Sequence, residues 1–460
     1  MKPTDYIASL LKPSRSPEEE SAAYNFDQVS SYFYNSPTRD DAFQTIDAET
    51  TADLDLNAVF EKIDRTTSKV GQQYLYARLR TLRGEEDARD FDRRTEIFEQ
   101  DDALTQRCEK HLSRLSNEDA YDFQRLIFET PAKVRRIGLV YTLTAVTIVS
   151  LLLAPFYPLL LLLFIAVYAV NVVIHYGNKI NITRYAFAVR QLAAALKTAR
   201  YLASEQVPGS DEATQPIRQV AEVEQRSRIV GTQGDGGNDF AAIVWLVIEL
   251  VKIAFNIEVI LFHRFIGSIT AHRDAIHDLF RFIGETDAAI SVMRLRREAP
   301  TCRPAFVEGK YLEAVQVVHP LIADCVPNTL TLDGTGLLLT GSNMSGKTTF
   351  VRTVMLNALL GETICTCFAE GFTIPYMRLY SSIRISDDIS EGTSYYLQEV
   401  LTVKRLLEAA EQPAPCLFVL DELFKGTNTT ERIAAGKAVL AHLNRGPHIV
   451  LAATHDIELA

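Results

Sequence analysis

From Thr331 to Arg352 the chain passes through a turn into the apolar run Leu337-Leu338-Leu339-Thr340. It then traverses Gly341-Ser342-Asn343-Met344-Ser345-Gly346-Lys347-Thr348 and enters a helical pattern at Thr349-Phe350-Val351-Arg352. A buried strand feeding a glycine-rich loop and then a helix is the segment that most restricts the fold, because such a unit is stable in an α/β sheet with helices packed on it. The loop satisfies GxxxxGK[ST] in the flanks that pattern requires. Its glycines let main-chain N–H groups close around phosphate oxygens, and the helix N-terminus adds positive potential. Lys347 is the group to neutralise β and γ phosphates, and the Thr348 hydroxyl is a candidate Mg²⁺ ligand. A chance glycine-rich turn is the bland alternative, and the downstream sequence weighs against it.

Further along, Cys416-Leu417-Phe418-Val419-Leu420 is an apolar strand that ends in Asp421-Glu422. Asp421 is placed to complete a magnesium shell, and Glu422 to orient or deprotonate an attacking water. A third apolar strand, His448 to Ala453, ends in Thr454-His455-Asp456, where a polar side chain can sense a γ-phosphate. His455 is that candidate, although a lone histidine is more often structural. Together these features predict ATP and Mg²⁺ as the ligands. The candidate nucleotide-binding set is Gly341, Ser342, Asn343, Met344, Ser345, Gly346, Lys347, Thr348 and Thr349, with Thr348 and Asp421 on the metal and Lys347, Glu422 and His455 in catalysis.

The rest of the chain is of another character. With 460 residues, 23% charged and 47% hydrophobic, it is long enough for two or three domains. A formal charge of -11 argues against a broad nucleic-acid-binding surface, which needs concentrated Lys and Arg, while leaving room for a local basic patch. The six cysteines are scattered without a CxxC pair and read as reduced cytosolic thiols. No apolar run opens the chain, so no secretory signal is expected.

Residues 1–45 are polar and predict a loosely ordered lead-in with one short helix. From Thr45 to Glu129 apolar residues recur at helical spacing. Then Ile137 to Ala154 and Leu159 to Tyr176 are each uncharged over 18 residues, separated by Pro155-Phe156-Tyr157-Pro158. Each run spans about 27 Å as a helix, close to a bilayer's hydrocarbon thickness. A buried hairpin in a large soluble core is the alternative, but such helices rarely stay uncharged on every side. The reading is two membrane segments. Lys133, Arg135 and Arg136 before the first run, and Lys179 and Arg184 after the second, put both ends on the cytoplasmic side. Gly231 to Asn238 reads as a flexible loop. A third apolar stretch, Phe240 to Phe262, carries Glu249, Lys252 and Glu258, and predicts one long helix with a narrow polar stripe, packed on protein or grazing the membrane.

The combined motifs resemble the MutS mismatch-repair ATPases of the ABC class. Where that family reads GPNMGGKST, this chain reads GSNMSGKTT, keeping Asn343 and Met344. His319-Pro320-Leu321 and Val326-Pro327-Asn328 match the segment that leads to the adenine pocket in the family. Ser386 to Ser394 resembles its signature loop, and by that resemblance Ser394 reaches the γ-phosphate held by a partner subunit, which implies a homodimer. Asp421 to Thr429 matches the Walker B motif and its following loop, and Thr454-His455 matches the switch histidine. Leu54 to Gly71 and Phe282 to Ser291 resemble lever-domain segments with packing and transmission roles.

The departures also matter. The chain begins at the lever, no Phe-x-Glu wedge occurs in a matching context, and the apolar hairpin stands where the family inserts its DNA clamp. Mismatch recognition is therefore not expected. Ser342 and Ser345 replace Pro and Gly, and Tyr395 replaces a Thr, changes expected to tune rates. The chain stops soon after His455, so truncation after Ala460 is an open reading.

The expected fold is an α/β P-loop NTPase (ABC-class) domain at 301–460, preceded by an all-α lever or core domain interrupted by a transmembrane helical hairpin. The expected divisions are a polar segment 1–45, lever parts 46–132 and 181–300, and the hairpin 133–180. The expected protein is a multi-pass inner- or plasma-membrane ATPase, anchored through residues 137–176 with its ATPase domain cytoplasmic. It couples hydrolysis at a dimer interface to lever motion, with DNA or an unidentified protein as partner. The alternative is an ATP-dependent membrane scaffold or partner-binding switch with negligible hydrolysis. A transporter half is weaker, since two membrane segments are too few to line a path.

Overall fold

A computed structural model describes residues 24–36, 42–129, 137–227, 239–342, 345–383, 395–424 and 428–459. Several positions singled out by sequence lie outside the described residues: Asn343, Met344, the stretch 386–394 with Ser394, residues 425–427, the Gly231 to Asn238 loop, and the flank Lys133, Arg135 and Arg136. The chain forms two compact units. One joins Thr66–Leu75 to Arg94–Ser291, and the other joins Met1–Arg65, Tyr76–Arg93 and Val292–Ala460. The units thus cut across the sequence-based divisions, since Tyr76–Arg93 groups with the C-terminal part of the chain.

The first unit is helical. Helices α1 (Ile137–Leu153) and α2 (Leu160–Ser204) pack together through the short turn that contains Pro155 and Pro158. Helix α2 has 45 residues, so the second apolar run and the more polar residues that follow it, as far as Ser204, are one rod of about 68 Å. Within it, Leu160–Lys179 is long and apolar enough to cross a membrane, whereas α1 is shorter at 17 residues. Both carry outward-facing apolar side chains, among them Leu152, Leu162 and Val173 at 63–73% exposure. The third apolar stretch differs from expectation. It is two helices, α3 (Asp239–Ala254) and α4 (Ile257–Ala271), broken at Asn256, whose φ of 49° lies in the left-handed region that Asn tolerates better than most residues.

Helix α5 (Arg273–Glu298) brings Asp287 against the segment 66–71. Its carboxylate accepts the Thr67 N–H at 2.9 Å, the Ser68 N–H at 2.7 Å and the Ser68 hydroxyl at 2.5 Å. Gly71 is required here, because a Cβ at that position would stand 2.1 Å from Asp287 Oδ2.

The second unit is α/β. Besides a two-stranded pair of Gln44–Thr45 with Thr81–Leu82, its strands are β1 (Pro304–Phe306), β2 (Tyr311–Val317), β3 (Asn328–Asp333), β4 (Leu337–Thr340), β5 (Gly371–Ile374), β6 (Arg378–Ser382), β7 (Cys416–Asp421) and β8 (Ile449–Thr454). These eight make a mixed sheet of order β1-β5-β2-β3 and a parallel sheet of order β4-β8-β7-β6. Burial on both faces explains why β7 and β8 are apolar at every position before their ends. Side chains alternate along β7. Phe418 and Leu420 join the core under helices α7 (Tyr395–Ala410) and α8 (Thr429–Leu443), while Leu417 and Val419 meet helix α6 (Lys347–Ile364) on the opposite face. Asp421 has the parity of Leu417 and Val419, so its side chain falls on the α6 side.

Strand β6 ends the parallel sheet and would leave its main chain open for pairing. The Gln44 side chain closes it, donating to Leu379 O and accepting Leu379 N–H, both at 2.7 Å. Asp53 accepts the Ser381 hydroxyl at 2.6 Å and the Ile383 N–H at 2.9 Å. Residues read from sequence as loose lead-in and early lever thus form part of the α/β unit's edge. Within the lead-in, two short helices, Phe26–Val29 and Ser31–Asn35, bury Tyr32 and Phe33. All six cysteines are free, and burial pushes the Cys416 thiol up to about 12.

Candidate nucleotide-binding site

Parallel register sets the site. Thr454 pairs with Thr340 and Ala453 with Asp421, so the three motif-bearing strands end side by side at the carboxyl edge of one sheet. Ligands of open α/β sheets bind at that edge. The loop after β4 turns into α6 through Gly346, whose φ of +87° is a backbone conformation that side-chain-bearing residues avoid. Gly346 is also the N-cap of α6, so the unpaired N–H groups of the first turn point out of the sheet edge.

Lys347 folds back over this loop. Its ammonium donates to Gly341 O at 2.8 Å and Ser342 O at 2.9 Å, holding a positive charge above the loop carbonyls. The Thr348 hydroxyl donates to Asp421 Oδ2 at 2.7 Å. Sequence paired these two residues by chemistry, and the structure brings them into direct contact. A hydroxyl and a carboxylate, both oxygen donors, are the set a hard cation such as Mg²⁺ takes.

Glu422 follows Asp421 with φ of +54°, and Phe424 has φ of +61°. Left-handed non-glycine residues cost about 1–3 kcal/mol each and cluster at functional sites. The Glu422 N–H donates to Ala453 O at 2.9 Å, which anchors the turn to β8. His455 Nδ1 lies 3.1 Å from Glu422 Oε1, and His455 Nε2 lies 3.6 Å from Asp456 Oδ1. Arg432 on α8 grips Asp456 with two bonds of 2.7 and 2.8 Å. That guanidinium holds the Asp456 carboxyl below the usual carboxylate range. A continuous polar chain therefore runs Glu422–His455–Asp456–Arg432. The sequence assigned Arg432 and Asp456 no role. Their separation of 24 residues hides the pairing, and the only signal was Asp456 directly following His455.

Beside the loop lies a cavity of ≈ 730 Å³ whose walls include Ile322, Val326, Asn328, Lys347 and Phe350. The size and mostly apolar lining suit a heterocyclic base with its sugar. Val326 and Asn328 belong to the segment that sequence linked to an adenine pocket. His319, at 5% exposure, accepts the Leu321 N–H at 3.3 Å through Nδ1. Burial, and then the nearby Arg352, lower its pKa from the ordinary histidine value. Gly341, Ser342, Ser345 and Thr349 are exposed around the loop, ready to meet a ligand.

Comparison with known proteins reaches the same region. Residues 337–460 match MutS domain V. The DNA mismatch repair protein MutS of Staphylococcus saprophyticus is 29% identical over 216 residues, which cover 45% of this chain and 24% of that protein. The DNA mismatch repair protein MutS of Staphylococcus aureus is 27% identical over 216 residues, with the same coverage of 45% and 24%. The chain thus spans about a quarter of the length of these curated relatives.

Proposed function

Because the chain belongs to the MutS family through its C-terminal region, we propose that it is a membrane-anchored ATPase that binds and hydrolyses ATP between two copies of itself. The observation that carries this reading is the 2.7 Å contact of Thr348 with Asp421 at the edge of the parallel sheet. It joins the hydroxyl of the phosphate loop to the carboxylate at a neighbouring strand end, the pairing expected of an ABC-class P-loop site.

In this reading main-chain N–H groups from Gly341 to Thr349, with Asn343 and Met344, cradle the phosphates, and Lys347 exchanges the Gly341 and Ser342 carbonyls for β and γ oxygens. Thr348 and Asp421 are the residues to hold Mg²⁺, which neutralises charge on the transferred phosphoryl group. Glu422 orients the attacking water and takes its proton. His455 fixes the Glu422 carboxylate, and Asp456 and Arg432 fix His455. Ser394, by family resemblance, completes the site of the partner copy. Helix α1 and the apolar part of α2 form the anchor, a reading supported by the length and composition of Leu160–Lys179. The ABC-class domain stands at 301–460, with lever parts at 46–132 and 181–300 coupling nucleotide state to the hairpin at 133–180. Contact with DNA, suggested by the names of the relatives, belongs to the same proposal, as does a protein partner.

The experiment is ATP binding and turnover by the full chain. Glu422→Gln retains ATP with turnover largely lost, and Lys347→Ala weakens binding. Undiminished hydrolysis in both variants overturns the proposal. Tight ATP binding with no turnover in the parent chain favours a nucleotide-set switch instead. Carbonate extraction tests the anchor, because release into the soluble fraction refutes it.

A further inference from the structure

The helical unit holds a group of ionisable side chains in otherwise apolar surroundings, and the nucleotide site does not use them. His175 on α2 is buried at 1% exposure. Its Nε2 lies 3.7 Å from Glu249 Oε1 on α3, and its Nδ1 lies 3.8 Å from Glu258 Oε2 on α4. Both separations are too long for hydrogen bonds, and neither ring nitrogen has a hydrogen-bond partner among the described residues. A buried imidazole left in this state is costly unless something else engages it.

The break at Asn256 creates the arrangement. In an unbroken helix, Glu249 and Glu258 would stand about 180° apart around the axis and about 13 Å apart along it. The left-handed Asn256 folds α4 back so that both carboxylates meet the same histidine. One donor atom from each of His175, Glu249 and Glu258 lies within 4.8 Å of the other two.

We propose that His175, Glu249 and Glu258 form a binding site for a divalent transition-metal ion of the zinc type. An ion about 2.1 Å from each donor can bridge donors up to about 4.2 Å apart, and it binds through one ring nitrogen of His175, so the 3.7 or 3.8 Å gap from that nitrogen to its own glutamate is already the right width. Modest rotation of the glutamates brings the third donor in. Lys252 supports the ligands from behind. Its ammonium lies 3.0 Å from Glu258 Oε1 and 3.5 Å from Glu249 Oε2, so it holds one oxygen of each carboxylate and leaves the other facing His175. Ligating carboxylates are ordinarily oriented by such outer partners. Lys179 approaches Glu249 Oε1 at 3.8 Å, but its side chain is 46% exposed and can turn to solvent as the ion enters. Two carboxylates less the Lys252 charge leave one negative charge to attract the ion. An imidazole with two carboxylates favours zinc, manganese or iron over the all-oxygen sites of magnesium and calcium. Three protein ligands leave a coordination position open.

The test uses the full chain in detergent, stripped with chelator and free of nucleotide. It is titrated with Zn²⁺, with Co²⁺ as a spectroscopic probe. Glu249→Gln and Glu258→Gln keep the shape of the ligands and a Lys252 contact, and ATP affinity serves as the folding check in each. The expected result is one more zinc retained by the parent chain than by the double Gln variant, each single change weakening affinity at least about tenfold. Asp421→Asn retains this zinc, which separates the site from the nucleotide's magnesium. Equal zinc stoichiometry and affinity in the parent chain and the double variant, or no zinc in the parent chain, overturns the proposal.

Discussion

The Thr348 hydroxyl and the Asp421 carboxylate, 73 residues apart in the chain, lie 2.7 Å apart at the carboxyl edge of the parallel sheet. The contact follows from register and parity: β7 ends beside β8, β8 ends beside β4, and Asp421 falls on the face covered by α6. Thr348→Ala removes one oxygen donor and leaves the Asp421 carboxylate without it. Magnesium-dependent ATP affinity is expected to fall about 10–100-fold, because the Mg²⁺ shell loses an oxygen donor. Thr348→Ser restores most of it. Isothermal titration with and without magnesium reads the difference, and equal affinities in Ala and Ser variants would sink the assignment.

His455 bears on Glu422 by orientation, with Nδ1 3.1 Å from Glu422 Oε1. Its removal lets the carboxylate turn in its strained loop without emptying the phosphate loop. For His455→Ala, kcat is expected to drop about 10²-fold, the usual penalty for a misplaced catalytic group, with KM for ATP nearly unchanged. Arg432→Gln acts one step further out, through Asp456, and lowers kcat less. A KM rise matching the kcat loss in either variant assigns the histidine to binding instead.

Much of the site was legible in sequence because its chemistry is local: a glycine-rich loop and carboxylates at the end of an apolar strand keep their meaning wherever the chain puts them. What escaped was non-local. Nothing in the composition of Gln44 or Asp53 tells that their side chains seal the edge of β6, more than 300 residues away. Hydrophobic periodicity carried across Asn256 without interruption, since a single left-handed residue changes direction without changing composition. Period and apolar length found helices α1 and α2, but could not tell that the polar continuation of α2 belongs to the same rod.

Gly71 and Asp287 make a second test that is independent of nucleotide. A Cβ on Gly71 would overlap Asp287 Oδ2 at 2.1 Å, forcing the carboxylate off the Thr67 and Ser68 N–H groups it satisfies. Gly71→Ala is expected to destabilise the helical unit by roughly 2–4 kcal/mol, from overpacking and the lost buried bonds together. Gly267→Ala is the control. It sits inside α4 with nothing within 4 Å of its Cβ, and replacing a helical glycine there is neutral or stabilising. Thermal melts of both variants decide the matter, and equal midpoints refute the packing argument.

His448 links the α/β unit to pH. Its Nδ1 accepts the Cys416 N–H at 3.2 Å, and its Nε2 donates to Ala410 O at 3.0 Å, so the folded state holds one neutral tautomer at the start of β7. Burial is the main cause that lowers its pKa from the ordinary histidine value. Protonation would turn the Nδ1 acceptor into a donor facing another donor. Because the folded pKa lies below the unfolded one, the unfolded chain takes up the extra proton. The stabilisation is thus complete above the ordinary histidine range, near about 6.5. It declines as pH falls from there towards the lowered folded value, and levels off below it. Hydrogen-exchange protection over Cys416–Asp421, corrected for intrinsic rates, should decrease from pH 7.5 to pH 5.5, values chosen to bracket that range at roughly one unit on either side. In His448→Asn the side-chain oxygen can accept the Cys416 N–H without titrating, so the His448 share of the slope disappears. A residual slope from His319, also buried and lowered, remains in that variant. If the Asn variant keeps the full slope of the parent chain, the proton is taken up elsewhere, and His448 is only a packing residue at the head of the strand.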